Sequence, residues 1–226
     1  MNKEYLENDF NQILKDWDNF WKTNDSFKNY SYSLLGSPLI KSQVLLLGNN
    51  WGGGESENQK EMPYCSDILC YPESPTYRGY INFFSKLFSQ NDLMNFFNSI
   101  VYTNASFIRC GNDENANFGY SESKPYLEKL IEKIEPNIII AFGRRRQISE
   151  KLECASHSLA SIFNLSKPSI VSQVNTRNWK AEYFETSEKQ FFLFPHSSKF
   201  GNIWGKEIAE TDIFKKLNKR LQRPSD

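Results

Sequence analysis

Gln43–Gly48 reads QVLLLG, and this stretch decides the fold class. A continuous apolar run of this length that stops at a glycine suits a strand buried on both faces, because a strand open to water on one side alternates apolar with polar residues. The same form returns at Ile100–Thr103 (IVYT) before Asn104, at Asn137–Phe142 (NIIIAF) before Gly143, and at Gln190–Phe194 (QFFLF) before Pro195. Helical periodicities fill the intervals at about residues 80–88, 123–134 and 145–154, and a last one runs over about 206–221. Ahead of them Leu6, Phe10, Ile13, Leu14, Trp17, Phe20 and Trp21 recur at helical steps, which predicts an amphipathic helix over about residues 4–22 docked on a core. Strands separated by helix-length segments predict an α/β fold, a three-layer sandwich around a central, mainly parallel four-stranded sheet. Two weaker strand candidates surround Ile170 and Tyr183.

The 226 residues carry 27 Lys plus Arg against 27 Asp plus Glu, so the net charge is zero and bulk charge singles out no partner. A uniformly basic nucleic-acid coat is excluded. With 39% hydrophobic and 15% aromatic residues the chain can bury a substantial core, and no shift of composition divides it, so one domain over residues 1–226 is expected. There is no apolar run of about 18 residues, and the opening MNKEYLENDF is not a signal-peptide core, so a cytoplasmic protein with no membrane contact is expected. Cys65, Cys70, Cys110 and Cys154 show no CxxC spacing and read as ordinary thiols.

In parallel sheets ligands bind beyond the carboxyl ends of the strands, which directs attention to the loops GNNWGGGE, NASFIRC, GRRRQ and PHSSKFGNIWG. The first has neither the GxGxxG spacing of dinucleotide sites nor the lysine of a Walker loop, and alone it reads equally well as a structural turn. His196, singly a structural histidine, is placed at a strand end where it can donate to a developing anion. Asn104, singly a turn or cap residue, carries a donor and an acceptor on one rigid amide, the complement of a base edge. The Arg144–Arg146 run reads first as a solvated helix start, and second as a set of phosphate contacts.

Taken in order, Gly48-Asn49-Asn50-Trp51-Gly52, Tyr77-Arg78-Gly79, Tyr102-Thr103-Asn104, the run PNIIIAFG ending at Gly143, and His196-Ser197-Ser198 resemble the uracil-DNA glycosylase superfamily over about residues 43–204. The first motif is similar to the G-x-N-P-G of its mismatch-specific and single-strand-selective branches. The resemblance implies that Asn50 positions the attacking water, that Tyr77 stacks on an extruded base, and that Asn104 reads the uracil edge. It further implies that His196 stabilises the leaving base, that Gly48, Asn49 and Trp51 complete the base pocket, and that Phe200 wedges into the duplex. Ser198, Lys199 and Arg144 would then meet the DNA backbone.

The stretch SKPYLEKLIEKIEPNIIIAFG is similar to the branch that carries an iron–sulfur cluster. Cys110 matches one ligand of that branch, but Ser123 stands where the next cysteine would be and no N-terminal cysteine pair exists, so no cluster, metal or other cofactor is expected. Trp51 and Ser197 replace prolines of the family pattern, and each replacement removes a fixed backbone angle beside a site residue. The expectation is a monomeric, metal-independent DNA glycosylase acting on DNA that contains uracil or a related damaged or modified base. The alternative is an inactive nucleic-acid or nucleotide-binding module on the same fold. Arg78, Arg109, Arg144–Arg146, Lys199 and Lys206 near the strand-end loops, against Glu4, Glu7, Asp9, Asp16 and Asp18 at the N-terminus, predict weak, salt-sensitive DNA binding.

Overall fold

The apolar runs become adjacent strands of one sheet in the computed structural model, which describes residues 4–27, 30–51, 73–109, 119–144, 154–174, 179–196 and 207–222. Helix α1 (Glu7–Thr23) precedes strands β1 (Ser31–Tyr32) and β2 (Val44–Trp51). Helices α2 (Pro75–Phe84) and α3 (Gln90–Ser99) lead into β3 (Val101–Arg109), followed by α4 (Tyr120–Ile134) and β4 (Ile138–Arg144). Then come α5 (Ala155–Phe163), β5 (Ile170–Val174), β6 (Trp179–Glu185), β7 (Gln190–Pro195) and α6 (Asp212–Leu221).

The chain is α/β, with a mixed sheet of seven strands among the described residues, ordered β1-β3-β2-β4-β7-β6-β5. Strand β2 pairs parallel with both β3 and β4, and β4 pairs parallel with β7. The expected sheet of four strands is thus too narrow. Two-residue β1 joins β3 antiparallel, and it is too short to show any period. On the other side β6 pairs antiparallel with β7 and β5 antiparallel with β6, the β5 edge exposing Val171, so its pattern mixes polar and apolar residues as an edge strand does.

Alternation along the strands divides the core in two. Leu45, Leu47, Ile139, Ala141, Phe191 and Leu193 face one cluster, which takes Phe10, Ile13 and Trp17 of α1, Leu127, Leu130 and Ile134 of α4, and Leu159 of α5. Val44, Leu46, Ile140, Phe142, Phe192 and Phe194 face the other, which takes Phe83 and Phe84 of α2, Phe96 and Phe97 of α3, and Ile213, Phe214 and Leu217 of α6. Helices therefore cover both faces, which is why the strands read as unbroken apolar runs. Trp17 anchors the first cluster, with its ring meeting Phe20, Tyr32, Phe107 and Tyr126.

Helix boundaries differ from the expected ones for local reasons. Helix α1 starts at Glu7 rather than near residue 4, and α2 starts at Pro75, a proline in the first turn where its missing N–H costs nothing. Helix α3 has no counterpart in the expected set. Its N-cap Ser89 accepts the Asp92 N–H, and only Leu93, Phe96 and Phe97 are apolar and buried, a stripe too short to stand out. The last helical period breaks at Thr211, whose side chain accepts the Phe214 N–H and starts α6 afresh after helical residues 207–210. Most of the helix expected over 145–154 lies outside the described residues, and α5 begins after Cys154. Among the described residues no helix is long and apolar enough to cross a membrane.

Candidate functional site

Because β3, β2, β4 and β7 run in one direction, their carboxyl ends meet along one edge of the sheet. Gly48 lies beside Asn104, Leu47 beside Ala141, and Phe142 beside Phe194. Asn104, Gly48, Phe142 and Phe194 therefore form one row. Just beyond it, Asn50 pairs with Ser106, the ladder slips between Asn50 and Trp51, Arg144 pairs with Pro195, and half-buried His196 follows β7. Asn50, Trp51, Asn104, Arg144 and His196 are thus brought to one edge by the backbone alone.

Asn104 is 1% exposed, and its amide lies directly over Gly48. A β-carbon at Gly48 would stand 2.0 Å from Asn104 Oδ1 and 3.2 Å from its Cγ, so glycine is required for the approach, and the amide oxygen is the end turned to the Gly48 backbone. The Tyr102 hydroxyl, two residues earlier on the same strand face, donates to that oxygen at 3.4 Å. Asn104 Nδ2 has no hydrogen-bond partner among the described residues. Leaving such a buried donor unpaired costs about 1–3 kcal/mol, a cost that a ligand carbonyl would remove.

Aromatic rings gather around its neighbour Tyr102. Tyr102 packs edge-on against Trp51 at 5.2 Å and against Tyr80 at 5.8 Å, and Tyr80 tilts against Phe142 at 5.1 Å. Tyr77 and Trp51, each partly buried, rest on the same apolar cluster. Burial, reinforced by Tyr80 and Tyr77 and opposed by Asn104, holds the Tyr102 hydroxyl protonated well above the ordinary tyrosine range. The indole Nε1 of Trp51 is a second buried N–H without a partner among the described residues. The arrangement therefore sets two buried N–H donors, Asn104 Nδ2 and Trp51 Nε1, beside one group of aromatic rings, and such donors complement carbonyl oxygens.

Asn49 goes the other way. Alternation turns it to the opposite face of the sheet, where its Oδ1 accepts the Ala155 N–H at 3.0 Å. Its amide lies over Gly143, whose φ of 136° no side chain favours and whose β-carbon would stand 1.9 Å from Asn49 Oδ1. The Asn49 side chain thus ties β2 to the start of α5, and it does not join Asn104. Beside it Cys154 Sγ lies 3.5 Å from His157 Nδ1. Burial raises the Cys154 thiol, but His157 and the backbone N–H groups of residues 156 and 157 outweigh it, leaving the thiol below its ordinary range.

Ser198, Lys199 and Phe200 lie outside the described residues, as does Cys110. Ser123, buried, accepts the Phe107 N–H and so fastens α4 to β3. Sequence reasoning missed Tyr102 and Tyr80 as site residues, and also the Cys154–His157 pair. For Tyr102 the signal was present: in a strand, residues two apart share a face, so the tyrosine before Thr103 had to flank Asn104. Against known proteins, no family model matches the chain and no curated protein matches its sequence.

Proposed function

We propose that the chain is a DNA glycosylase of the uracil-DNA glycosylase type, a three-layer sandwich that hydrolyses the N-glycosidic bond of uracil or a related base. The observation that carries this reading is the buried Nδ2 of Asn104, without a hydrogen-bond partner among the described residues, in the row of strand residues that leads to the carboxyl edge. A base inside a duplex cannot present its edge to a buried amide, so the nucleotide must leave the stack, at a cost of a few kcal/mol. Stacking on Tyr77 offsets part of that cost, and Phe200 fills the gap left in the helix. Lys199, Ser198 and Arg144 meet phosphates.

Cleavage leaves positive charge on the sugar and negative charge on the base. Neutral His196, following β7 on the same edge, donates to the base oxygen as that charge develops. Asn50 orients the attacking water, but its amide cannot take the proton as a carboxylate would, so turnover is slow. No step uses a metal or cofactor, and the protein acts as a monomer in the cytoplasm. The base pocket keeps Gly48 and Trp51 as walls, while the Asn49 side chain acts on it only through the position of β2.

Single-turnover excision from a uracil-containing oligonucleotide tests these roles. His196→Ala lowers the rate by roughly 100-fold, the scale of one oxyanion donor, with DNA affinity little changed. Asn50→Ala abolishes excision and leaves DNA binding intact. A wild-type protein that binds the oligonucleotide and never releases uracil would instead be a binding module.

A further inference from the structure

At the amino ends of the strands, the edge of the sheet opposite the Asn104 amide, lies a cavity of about 410 Å³. Val44 and Ile138, the first residues of β2 and β4, pair with each other and both line it. Val44 precedes Gly48 by four residues, or about 13 Å at the rise of a strand. The elements around the cavity are fastened to one another. The Ser42 hydroxyl donates to Ser99 O of α3 at 2.8 Å, the Ser42 N–H donates to Ile134 O of α4 at 3.1 Å, and Gln43 O accepts from the N–H groups of Asn137 and Ile138 at 3.0 and 2.9 Å. The Gln222 side chain donates to Leu87 O at 3.4 Å and holds the end of α6 beside them. The space is thus already formed, and its volume is that of a small-molecule site.

Its lining is apolar on Val44, Phe96 and Leu221 and charged on Lys41, Glu135 and Arg220. Lys41 is engaged by Glu135 in an ion pair. Arg220 is engaged less closely: its Nη2 lies 3.7 Å from Glu185 Oε1, past hydrogen-bonding distance, and that oxygen already accepts from Gln190 at 2.8 Å. The guanidinium therefore keeps donors for another acceptor, on a side chain only 34% exposed. A carboxylate suits it, because two oxygens meet the planar fork in parallel. Two cations against one acid leave a single positive charge on the lining, which one negative charge balances, whereas a doubly charged phosphate would set its second charge against Glu135. We propose that this cavity binds a small monocarboxylate with an apolar body, the carboxylate on Arg220 and the body against Val44, Phe96 and Leu221. No residue of the carboxyl edge takes part, so the site is separate from the proposed base pocket.

Hexanoate is the probe, with hexanamide, nearly the same shape without the charge, and inorganic phosphate as controls. In the full-length wild-type protein the backbone amide resonances of Val44, Phe96, Ser99, Ile138 and Leu221 shift with hexanoate and saturate, while those of Gly48, Asn104 and Phe142 stay in place. Hexanamide binds about tenfold more weakly or worse, the order of one hydrogen bond to a charged group, and phosphate does not displace hexanoate. Arg220→Gln weakens hexanoate by about tenfold and leaves hexanamide as it was. Glu135→Gln removes the acid that competes for Lys41 and tightens hexanoate roughly threefold. The comparison of hexanoate with hexanamide is made on wild type and needs no folded variant. Equal affinity for the two, displacement by phosphate, unchanged hexanoate affinity in a folded Arg220→Gln, weaker binding in Glu135→Gln, or shifts that never saturate or that centre on Gly48 and Asn104 overturns the proposal.

Discussion

At the scale of single residues, two glycines let two asparagine amides lie flat on the sheet, one on each face: Asn104 over Gly48 and Asn49 over Gly143. At Gly143 the atoms met are all those of the Asn49 amide, and at Gly48 they are those of the Asn104 amide together with the Tyr80 hydroxyl, each amide being held by a hydrogen bond. Gly48→Ala is therefore expected to push Asn104 out of register with Tyr102, lowering stability by about 1–3 kcal/mol in urea unfolding and abolishing selection among bases. An alanine variant that keeps wild-type stability and selection would show that the amide does not sit there. Asn104 was singled out because the apolar run IVYT stops before it, although β3 continues to Arg109 and places Asn104 inside the strand. Its partner Tyr102 was legible only through strand alternation, and the role of Asn49 was not legible, because the Ala155 N–H that holds it is brought close by the fold from far along the chain.

At the scale of elements, strands buried on both faces announce themselves and peripheral elements do not. QVLLL, IVYT, NIIIAF and QFFLF are apolar throughout because helices cover both sides, whereas edge strand β5 exposes Val171 and Gln173, and the apolar run of β6 is interrupted by buried Glu182 between Ala181 and Tyr183. Helix α6 shows how a short signal decides a boundary: Thr211 takes an orphan N–H that would otherwise be unpaired. Thr211→Ala is expected to cost about 1 kcal/mol, and Thr211→Ser close to nothing, by the same unfolding measurement.

The other tie of α6 is pH-dependent. The Glu185 carboxylate of β6 lies near Lys216 (3.8 Å) and Arg220 (3.7 Å) and accepts from Gln190 at 2.8 Å. Its pKa is lowered, first by the nearby Tyr183 hydroxyl, against the opposing effect of burial, and then by Gln190 and the two cations. A carboxylate with a depressed folded-state pKa stabilises the fold above its unfolded pKa and loses that contribution as pH falls through the folded value. The difference in unfolding free energy between wild type and Glu185→Gln is thus constant near neutrality and shrinks only below about pH 4. Because the group is exposed, the difference is small.

At the scale of the whole molecule, equal numbers of positive and negative charges conceal a local arrangement. Acids of α1 are matched by lysines of α4, Asp9 by Lys133 at 2.8 Å and Asp16 by Lys129 at 3.2 Å, while Asp18 pairs with Lys22 within α1. These pairs lie where α1 packs on α4, against the face of the sheet opposite the Asn104 amide. They contribute little stability singly, but they keep the N-terminal acids from adding an unbalanced negative field. DNA affinity is accordingly expected to be weak and to fall as salt rises, with a slope set by a few phosphate contacts. Affinity independent of salt would contradict that view of the surface.

The central claim is that this edge of the sheet removes a carbonyl-bearing base from DNA. Its most direct measurement incubates the full-length protein with end-labelled oligonucleotides, single- and double-stranded, that differ only in carrying uracil, hypoxanthine, a thymine mismatch or no altered base, then cleaves abasic sites with alkali. The account predicts strand cleavage at uracil in wild type, none in Asn50→Ala, and none in the unaltered strand. Intact uracil strands at enzyme excess, with the protein folded and bound to the DNA, would contradict it.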